Sequence, residues 1–402
     1  MGRKRKNTTE NRFKNYKICV ICSTQNQMIN YIPLSMKKFN FETIYNITIR
    51  GSEYFKNENW DKNLERVLDK KFINIELKQS DTHSVSKILE NKEYQDLINL
   101  EDKIFWNITG GQRTILLAIN KSIQEKRSKR EDVICYLEGN SNKMYTSNID
   151  YKNKDAKPIN YDKEKFDLDI TKALQLGGFK ISEAKGEENP LDNTLLEKFI
   201  PLYEKIDNGL RELLIDTNKE TTQQEALDNL KKLNIPNKDV VKSVIEWGYN
   251  KNSSTPFGYI LEEMTRYQVE KLSSNIQEIK TNVRLYNEEK MEGINNTQID
   301  EFDVLALTKN GKMIVFECKS GSMHPDIAKS TKYSTYAISG VYGLPILITP
   351  LLKSEIPPSS AFKNLGDKYD TIKASVASAK RAGLEVWGID EIDKKLEKYI
   401  EL

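Results

Sequence analysis

The chain has 402 residues and carries 62 Lys and Arg against 59 Asp and Glu, for a formal net charge of +3. That length predicts about two domains, each able to bury its own core, and the near balance of charge excludes a global nucleic-acid signature, so any such surface must be local. Apolar runs stay short of a membrane span, and the start, MGRKRKN, lacks the apolar stretch of a signal peptide and reads as a disordered basic tail with at most a weak attraction for phosphate.

Residues 17–22 (KICVIC) form an apolar run of the kind that makes a buried first strand, followed by the polar turn Ser23-Thr24-Gln25-Asn26-Gln27. Cys19 and Cys22 have redox-motif spacing but fall inside that run, so they read as core. Cys135, Cys318 and the two histidines, His83 and His324, are isolated, which argues against a zinc site or a nucleophile triad and predicts a reducing cytoplasm. Strand and helix signals then alternate: strand 41–49, a helix around 60–70, strand 72–77, helix 84–98, strand 103–107, a helix through residue 126, and strand 132–137. This order predicts a parallel, Rossmann-like sheet, whose ligands sit beyond the carboxyl ends of the strands.

Between strand 103–107 and its helix lies Thr109-Gly110-Gly111-Gln112-Arg113. Paired glycines there expose backbone N–H groups and the positive end of a helix, which favours anions, and Arg113 adds a fixed positive charge. The same glycines also suit a tight turn that needs them only for its backbone angles. Arg50-Gly51-Ser52, after the second strand, is a weaker candidate.

Polar density rises over 148–165, where a first linker is expected. A helical stretch over 169–247, broken at Leu176-Gly177-Gly178-Phe179 and near Ile235-Pro236, reads as a connecting segment. Ser253-Ser254-Thr255-Pro256 then caps a helix with an apolar stripe of Phe257, Ile260, Leu261, Met264 and Tyr267, and Glu262 sits beside the stripe.

Two apolar strands follow, 302–307 (FDVLAL) and 313–316 (MIVF). A three-residue loop, Lys309-Asn310-Gly311, with glycine in the left-handed conformation, pairs Thr308 with Lys312 and hence Asp303 with Glu317 and Glu301 with Lys319. Those four charges then share one face, and Cys318 faces the core. A two-residue loop would place Asp303 and Glu317 on opposite faces. Paired carboxylates suit Mg²⁺ or Mn²⁺, with Lys319 placed to orient water or neutralise charge on a phosphoryl oxygen; a solvated edge hairpin is the alternative. Lys329, Lys332 and Tyr333 lie on a following helix, and a strand at 345–349, a helix at 367–381, a strand at 384–389 and a terminal helix complete an α/β pattern. No P-loop, G-x-G-x-x-G or H-E-x-x-H occurs.

Gly258-Tyr259-Ile260-Leu261-Glu262, Asp300-Glu301-Phe302-Asp303-Val304 and Phe316-Glu317-Cys318-Lys319 resemble the three signature blocks of PD-(D/E)xK, restriction-endonuclease-like nucleases, over roughly residues 258–389. The resemblance implies that Glu262, Asp303 and Glu317 converge on Mn²⁺ or Mg²⁺, that Lys319 completes the catalytic set, that Glu263 is the fallback for Glu262, and that a further phosphate contact comes from the helix of Lys329, Lys332 and Tyr333. Asn107-x-Thr109-Gly110-Gly111, with Ser/Thr-x-Asn-Gln after the first strand, resembles a CARF domain, the CRISPR-associated Rossmann sensor of cyclic oligoadenylates, over roughly 16–150. Gln112-Arg113 departs from the Thr-Lys common there but keeps the positive charge. By that resemblance Ser23, Thr24, Asn26 and Gln27 hold bases or riboses, and Thr109, Gly110, Gly111, Gln112 and Arg113 hold phosphates.

Together the two halves resemble CRISPR ancillary nucleases. That implies cyclic tetra-adenylate as activator, bound across the two-fold axis of a homodimer, single-stranded DNA, RNA or both as substrate, and type III antiviral defence. The expected architecture is α/β, with a basic tail (1–15), a Rossmann-like CARF domain (16–150), a linker and helical segment (151–250) and an αβ restriction-endonuclease-like nuclease domain (251–402). Two other readings stay open: a constitutive restriction- or repair-type nuclease, and a nucleotide-sensing regulator without catalysis. Glu301 has no assigned role.

Overall fold

A computed structural model describes residues 13–50, 60–138, 143–148, 158–160, 167–183, 189–205, 209–216, 221–272, 274–287, 298–339, 343–358 and 368–401. Most of the expected basic tail, Gly51, Ser52 and most of the expected linker at 148–165 lie outside these residues. The chain divides into two compact α/β units, Met1–Gly178 and Phe179–Leu402.

The first unit contains, in order, β1 (Ile18–Cys22), α1 (Met28–Ser35), β2 (Thr43–Arg50), α2 (Trp60–Leu68), β3 (Ile73–Lys78), α3 (Val85–Glu90), α4 (Lys92–Ile98), β4 (Ile104–Asn107), α5 (Arg113–Lys126), β5 (Val133–Glu138), β6 (Lys143–Asn148), β7 (Ile159–Asn160) and α6 (Ile170–Leu176). Its seven-stranded sheet has the order β3-β2-β1-β4-β5-β6-β7. The first five strands are parallel, and β6 and β7 extend the sheet antiparallel. All five residues of β1 and all four of β4 are buried, as strands covered on both faces require. Strand order reverses between β1 and β4, so the loops after these two strands open side by side at the sheet's carboxyl edge.

Two local departures from the expected pattern have clear causes. The helix expected over 84–98 is two helices, because the Asn91 side chain accepts from Tyr94 N at 2.9 Å and caps a new start. The sheet also continues beyond residue 137 into β6, whose polar sequence KMYTSN hides its pairing with β5.

At the opposite edge of the sheet a buried ion pair closes the unit. Arg127 Nε lies 2.5 Å from Asp132 Oδ2, both side chains are inaccessible, and the guanidinium also donates to the carbonyls of Ile98, Leu100 and Asp102. Asp132 in turn accepts from Ile104 N and from the Trp106 indole.

The second unit contains β8 (Phe179–Glu183), α7 (Asn193–Lys205), α8 (Gly209–Leu213), α9 (Gln223–Lys232), α10 (Lys238–Lys251), α11 (Pro256–Glu270), β9 (Ile276–Asn287), β10 (Gln298–Thr308), β11 (Met313–Cys318), α12 (Pro325–Ser339), β12 (Leu344–Thr349), α13 (Lys368–Ala382), β13 (Glu385–Gly388) and α14 (Ile392–Glu401). Its six-stranded sheet runs β13-β12-β11-β10-β9-β8, parallel from β11 to β13 and antiparallel elsewhere. The hairpin register is the one the three-residue loop predicts: Val304 faces Phe316 and Leu307 faces Met313. Thr308 N donates to Lys312 O at 2.9 Å, and Gly311 sits at φ +83°.

Helices α7, α9 and α10, expected as a connecting segment, are part of this unit. Phe199, Leu230 and Ile245 share one apolar cluster with Leu261 of α11 and Phe316 of β11. Their apolar stripes are buried in that cluster, so they join the core rather than bridge to it. The glycine pair read as a helix breaker marks the division of units, and the residues after it form the edge strand β8. Strand β9 was not anticipated, because IQEIKTNVRLYN mixes charges into every turn of its pattern.

Removing one partner of a buried pair strands the other charge, at a cost of about 3–5 kcal/mol. Arg127→Met should therefore lower the unfolding free energy of the first unit by that amount, read as a lower denaturant midpoint with the slope unchanged. A loss under about 1 kcal/mol would mean the pair is not a staple of the fold.

Candidate functional site

The β10–β11 hairpin ends in three charges. Continuing its register one step past Val304 and Phe316 brings Asp303 opposite Glu317. Asp303 Oδ2 accepts from the backbone N of Cys318 at 2.7 Å and from Lys319 Nζ at 3.3 Å. The same ammonium lies 2.7 Å from Glu317 Oε1. Lys319 thus stands between two carboxylates, and Glu317 keeps its second oxygen for Thr331 Oγ1 of α12, which donates to it at 2.9 Å.

Burial dominates the electrostatics. Glu317 is 5% exposed; desolvation and then the neighbouring charge of Asp303 push its carboxyl up to about 7, against the pull of Lys319 and Thr331. Burial works against the charge on Lys319, yet Asp303 and Glu317 outweigh it and hold the ammonium above the ordinary lysine range. Glu262, on α11, is also pushed up, first by burial and then by Asp303.

Glu262 and its neighbour Glu263 separate cleanly. Glu263 pairs with Arg266 at 3.0 Å and accepts from Leu191 N at 3.2 Å, so it braces α11. Glu262 lines a pocket of about 270 Å³ together with Lys319, and its Oε2 is buried with no hydrogen-bond partner among the described residues. An orphaned carboxylate oxygen beside the buried Glu317 and the half-buried Asp303 is a donor set that fits a hard divalent cation. Among the described residues no three acidic, His or Cys side chains are already gathered closely enough to cage an ion, since Lys319 stands between Asp303 and Glu317.

The remaining candidates of this unit have other roles. Glu301 bonds Arg284 of β9 at 3.3 Å and accepts from Gln298, which pins β9 to β10. Asp300 accepts from Ser330 at 3.1 Å and from Ser334, both on α12. Lys329 pairs with Asp326, Lys332 lies over the Tyr336 ring, and Tyr333 is 74% exposed. The α12 residue that reaches the carboxylates is Thr331, which has no sequence signal beyond its position on the helix. Cys318 is core, its thiol 3.5 Å from Thr265 Oγ1 on α11. A second residue missed from sequence is Asp216, which accepts from Gly258 N and Ser320 Oγ at the wall of the same pocket.

In the first unit the two glycines bring the loops after β1 and β4 into contact. A Cβ on Gly110 would lie 3.0 Å from the Thr24 methyl, and one on Gly111, at φ +97°, would lie 2.6 Å from the Cys22 Cβ. At Gly111 the positive φ strains any side chain and the Cys22 side chain would have to shift, whereas at Gly110 the Thr24 and Ile29 side chains would have to give way slightly. Asn107 ties the loops together: its amide donates to Ile29 O and Asn30 Oδ1, and its oxygen accepts from Thr109 N and Thr109 Oγ1. Thr109 Oγ1 also accepts from Leu137 N at 2.9 Å.

Asn26 accepts from Met28 N and so fixes the start of α1. Gln27 is 2% exposed and points inward, accepting from Asn30 and donating to Asp61 of α2 at 2.9 Å. Ser23 and Thr24 are half-buried at the crevice, while Gln112 and Arg113 are exposed at the first turn of α5. The crevice therefore presents hydroxyls, backbone N–H groups and one guanidinium, a set suited to an anion with polar edges.

No protein-family model and no curated protein matches the chain. Solved structures do. Protein VC1899 from Vibrio cholerae superposes with a TM-score of 0.63 at 17% identity, over 96% of this chain and 97% of its own. Can2 from Sulfobacillus thermosulfidooxidans, solved in complex with cyclic tetra-adenylate, gives a TM-score of 0.58 at 14% identity, over 96% of this chain and 98% of its own. At these identities the likeness is one of fold, and it spans both units.

Glu317 and Glu262 bind a proton more tightly in the folded chain than in the unfolded one. Stability then falls as pH rises, from the ordinary glutamate value of 4.5 to about 7 for Glu317. The contribution of Lys319 is constant across that window and is lost only in alkali. In metal-free buffer the melting temperature of the second unit should drop between about pH 5 and about pH 7, and Glu317→Gln should flatten the drop. An unchanged slope in the variant would assign the effect to other groups.

Proposed function

We propose that the second unit is a metal-dependent nuclease of the PD-(D/E)xK type and that the crevice of the first unit binds a cyclic oligoadenylate that controls it. The observation that carries the nuclease half is the Lys319 ammonium held between Asp303 and Glu317 beside the orphaned oxygen of Glu262. The sensing half is supported by the hydroxyl-rich crevice at the β1–β4 switch point, and by the fold shared with Can2, whose structure contains cyclic tetra-adenylate.

In this reading Asp303, Glu317 and Glu262 hold Mn²⁺ or Mg²⁺, which supplies Lewis-acid polarisation of the scissile phosphate and a more acidic water. Glu317, its carboxyl held near neutrality, would be deprotonated to serve as a ligand. Thr331 orients the Glu317 carboxylate, and Asp303 fixes the strand end through Cys318 N. Lys319 keeps its proton, so its Nζ–H bonds are available to the phosphoryl oxygens on which charge develops. Ser23, Thr24 and the Thr109–Arg113 turn hold the activator, with Asn26 and Gln27 shaping their loop. The substrate is single-stranded DNA, RNA or both, the active form is a homodimer that grips the ring across its two-fold axis, and the role is cytoplasmic, in type III CRISPR antiviral defence.

The test is cleavage of labelled single-stranded DNA and RNA in Mn²⁺, with and without cyclic tetra-adenylate. Cleavage should require the ring, and Glu317→Ala should lower turnover about 10³-fold or more. Arg113→Ala removes a charge-assisted contact and should raise the ring concentration for half-activation about tenfold or more and lower the rate at saturation. Ring-independent cleavage overturns the sensing half, and wild-type turnover from Glu317→Ala overturns the site.

A further inference from the structure

Asp216 follows α8, 104 residues before Ser320 in sequence, yet it meets the end of β11 directly. Its Oδ2 accepts from Ser320 Oγ and from Gly258 N, the latter at 3.1 Å, and its own N donates to Ser320 O at 3.1 Å. Gly258 lies one helical turn before Glu262 on α11, and Ser320 lies one residue after Lys319. One carboxylate therefore ties together the two elements that present Glu262 and Lys319 to the same pocket.

The strand end is anchored residue by residue. Cys318 N is held by Asp303, Lys319 N donates to Ile348 O of β12 at 3.1 Å, Ser320 is held by Asp216, and the Gly321 carbonyl accepts from Ser375 of α13 at 2.8 Å. The approach is too close for a side chain at 321, where a Cβ would lie 2.6 Å from Asp216 O. A lysine stem has four rotatable bonds, so the aim of its ammonium depends on a fixed backbone at its root.

We infer that Asp216 is a positioning residue for Lys319, locking the β11 end against the first turn of α11 so that the ammonium meets Asp303 and Glu317. The inference rests on the nuclease reading above. A bland alternative is that Asp216 only caps α11 through Gly258 N, and Ser320→Ala separates the two, because it leaves that cap intact.

The experiment uses the full chain with cyclic tetra-adenylate and Mn²⁺, and compares Asp216→Ala, Asp216→Asn, Ser320→Ala and Glu317→Ala. Asp216→Ala and Ser320→Ala should lower kcat about tenfold or more with KM nearly unchanged. Asp216→Asn keeps an acceptor for Gly258 and a partner for Ser320, and should recover most of the loss. Hydrogen exchange, measured without nucleic acid, should quicken about tenfold or more over residues 318–322 in Asp216→Ala and Ser320→Ala but not in Asp216→Asn.

Unchanged exchange in Asp216→Ala overturns the inference, as does wild-type kcat in Ser320→Ala. A kcat loss confined to Asp216→Ala, matched by a lower melting temperature and absent from Ser320→Ala, reduces the residue to a helix cap. An active Glu317→Ala would instead strike the nuclease reading, and the exchange measurement would still decide whether Asp216 locks the strand.

Discussion

One ammonium between two carboxylates governs the second unit. Lys319, Asp303 and Glu317 carry a net negative charge into a site where Glu317 is almost inaccessible, and such a charge is costly unless it is paired. The lysine satisfies part of the demand, and a proton on Glu317 satisfies more at neutral pH and below. Glu262 adds a third carboxyl whose Oε2 finds no partner among the described residues. A domain selected only for stability would replace this group with apolar side chains. The surrounding core, by contrast, is apolar on both sides of the hairpin, with Val304, Leu305, Val315 and Phe316 all inaccessible. In the proposed reading that expense at the strand end is what the site requires.

That strand end was legible from sequence because its geometry is local. A left-handed glycine after Lys309-Asn310 sets the loop length, the loop length sets the register, and the register carries Asp303 to Glu317 by period-two alternation. Every step lies within about 17 residues of sequence. Thr331 is 14 residues from Glu317, but its contact depends on how α12 packs on the sheet, which no local pattern reveals. Asp216 is harder still, since a lone Asp in a connecting stretch becomes informative only when Ser320 and Gly258 are brought to it. The fold follows the same division. Buried parallel strands such as β1 and β4 announce themselves as apolar runs, whereas β8 and β9 mix charges into their pattern and hide from any periodicity.

The first unit reaches its geometry differently, through absence of side chains rather than through charge. Gly110 and Gly111 let the loop after β4 close on Thr24 and Cys22, and Asn107 then stitches the two loops with bonds from both ends of its amide. Sequence exposes the glycines but not the reason for them. Gln27 makes the same point from the other side: its place in the turn reads as a ligand contact, but the chain folds its amide inward onto Asn30 and Asp61. What remains facing the crevice is a short set of hydroxyls, N–H groups and Arg113.

A crevice stitched this tightly has a thermodynamic consequence for control. Loops already held by Asn107, Asn30 and Thr109 need little ordering when an anion arrives, so binding energy is not consumed in shaping them. A ligand shifts an equilibrium only by the difference in its affinity for two states. Loops that look alike in both states contribute nothing to that difference. In the proposed reading the difference must come from groups outside the stitched core of the crevice, and Gln112 and Arg113, exposed at the start of α5, lie outside it. The rigid loops would then supply affinity and the Arg113 guanidinium the discrimination between states, so loss of affinity and loss of activation need not fall on the same residues.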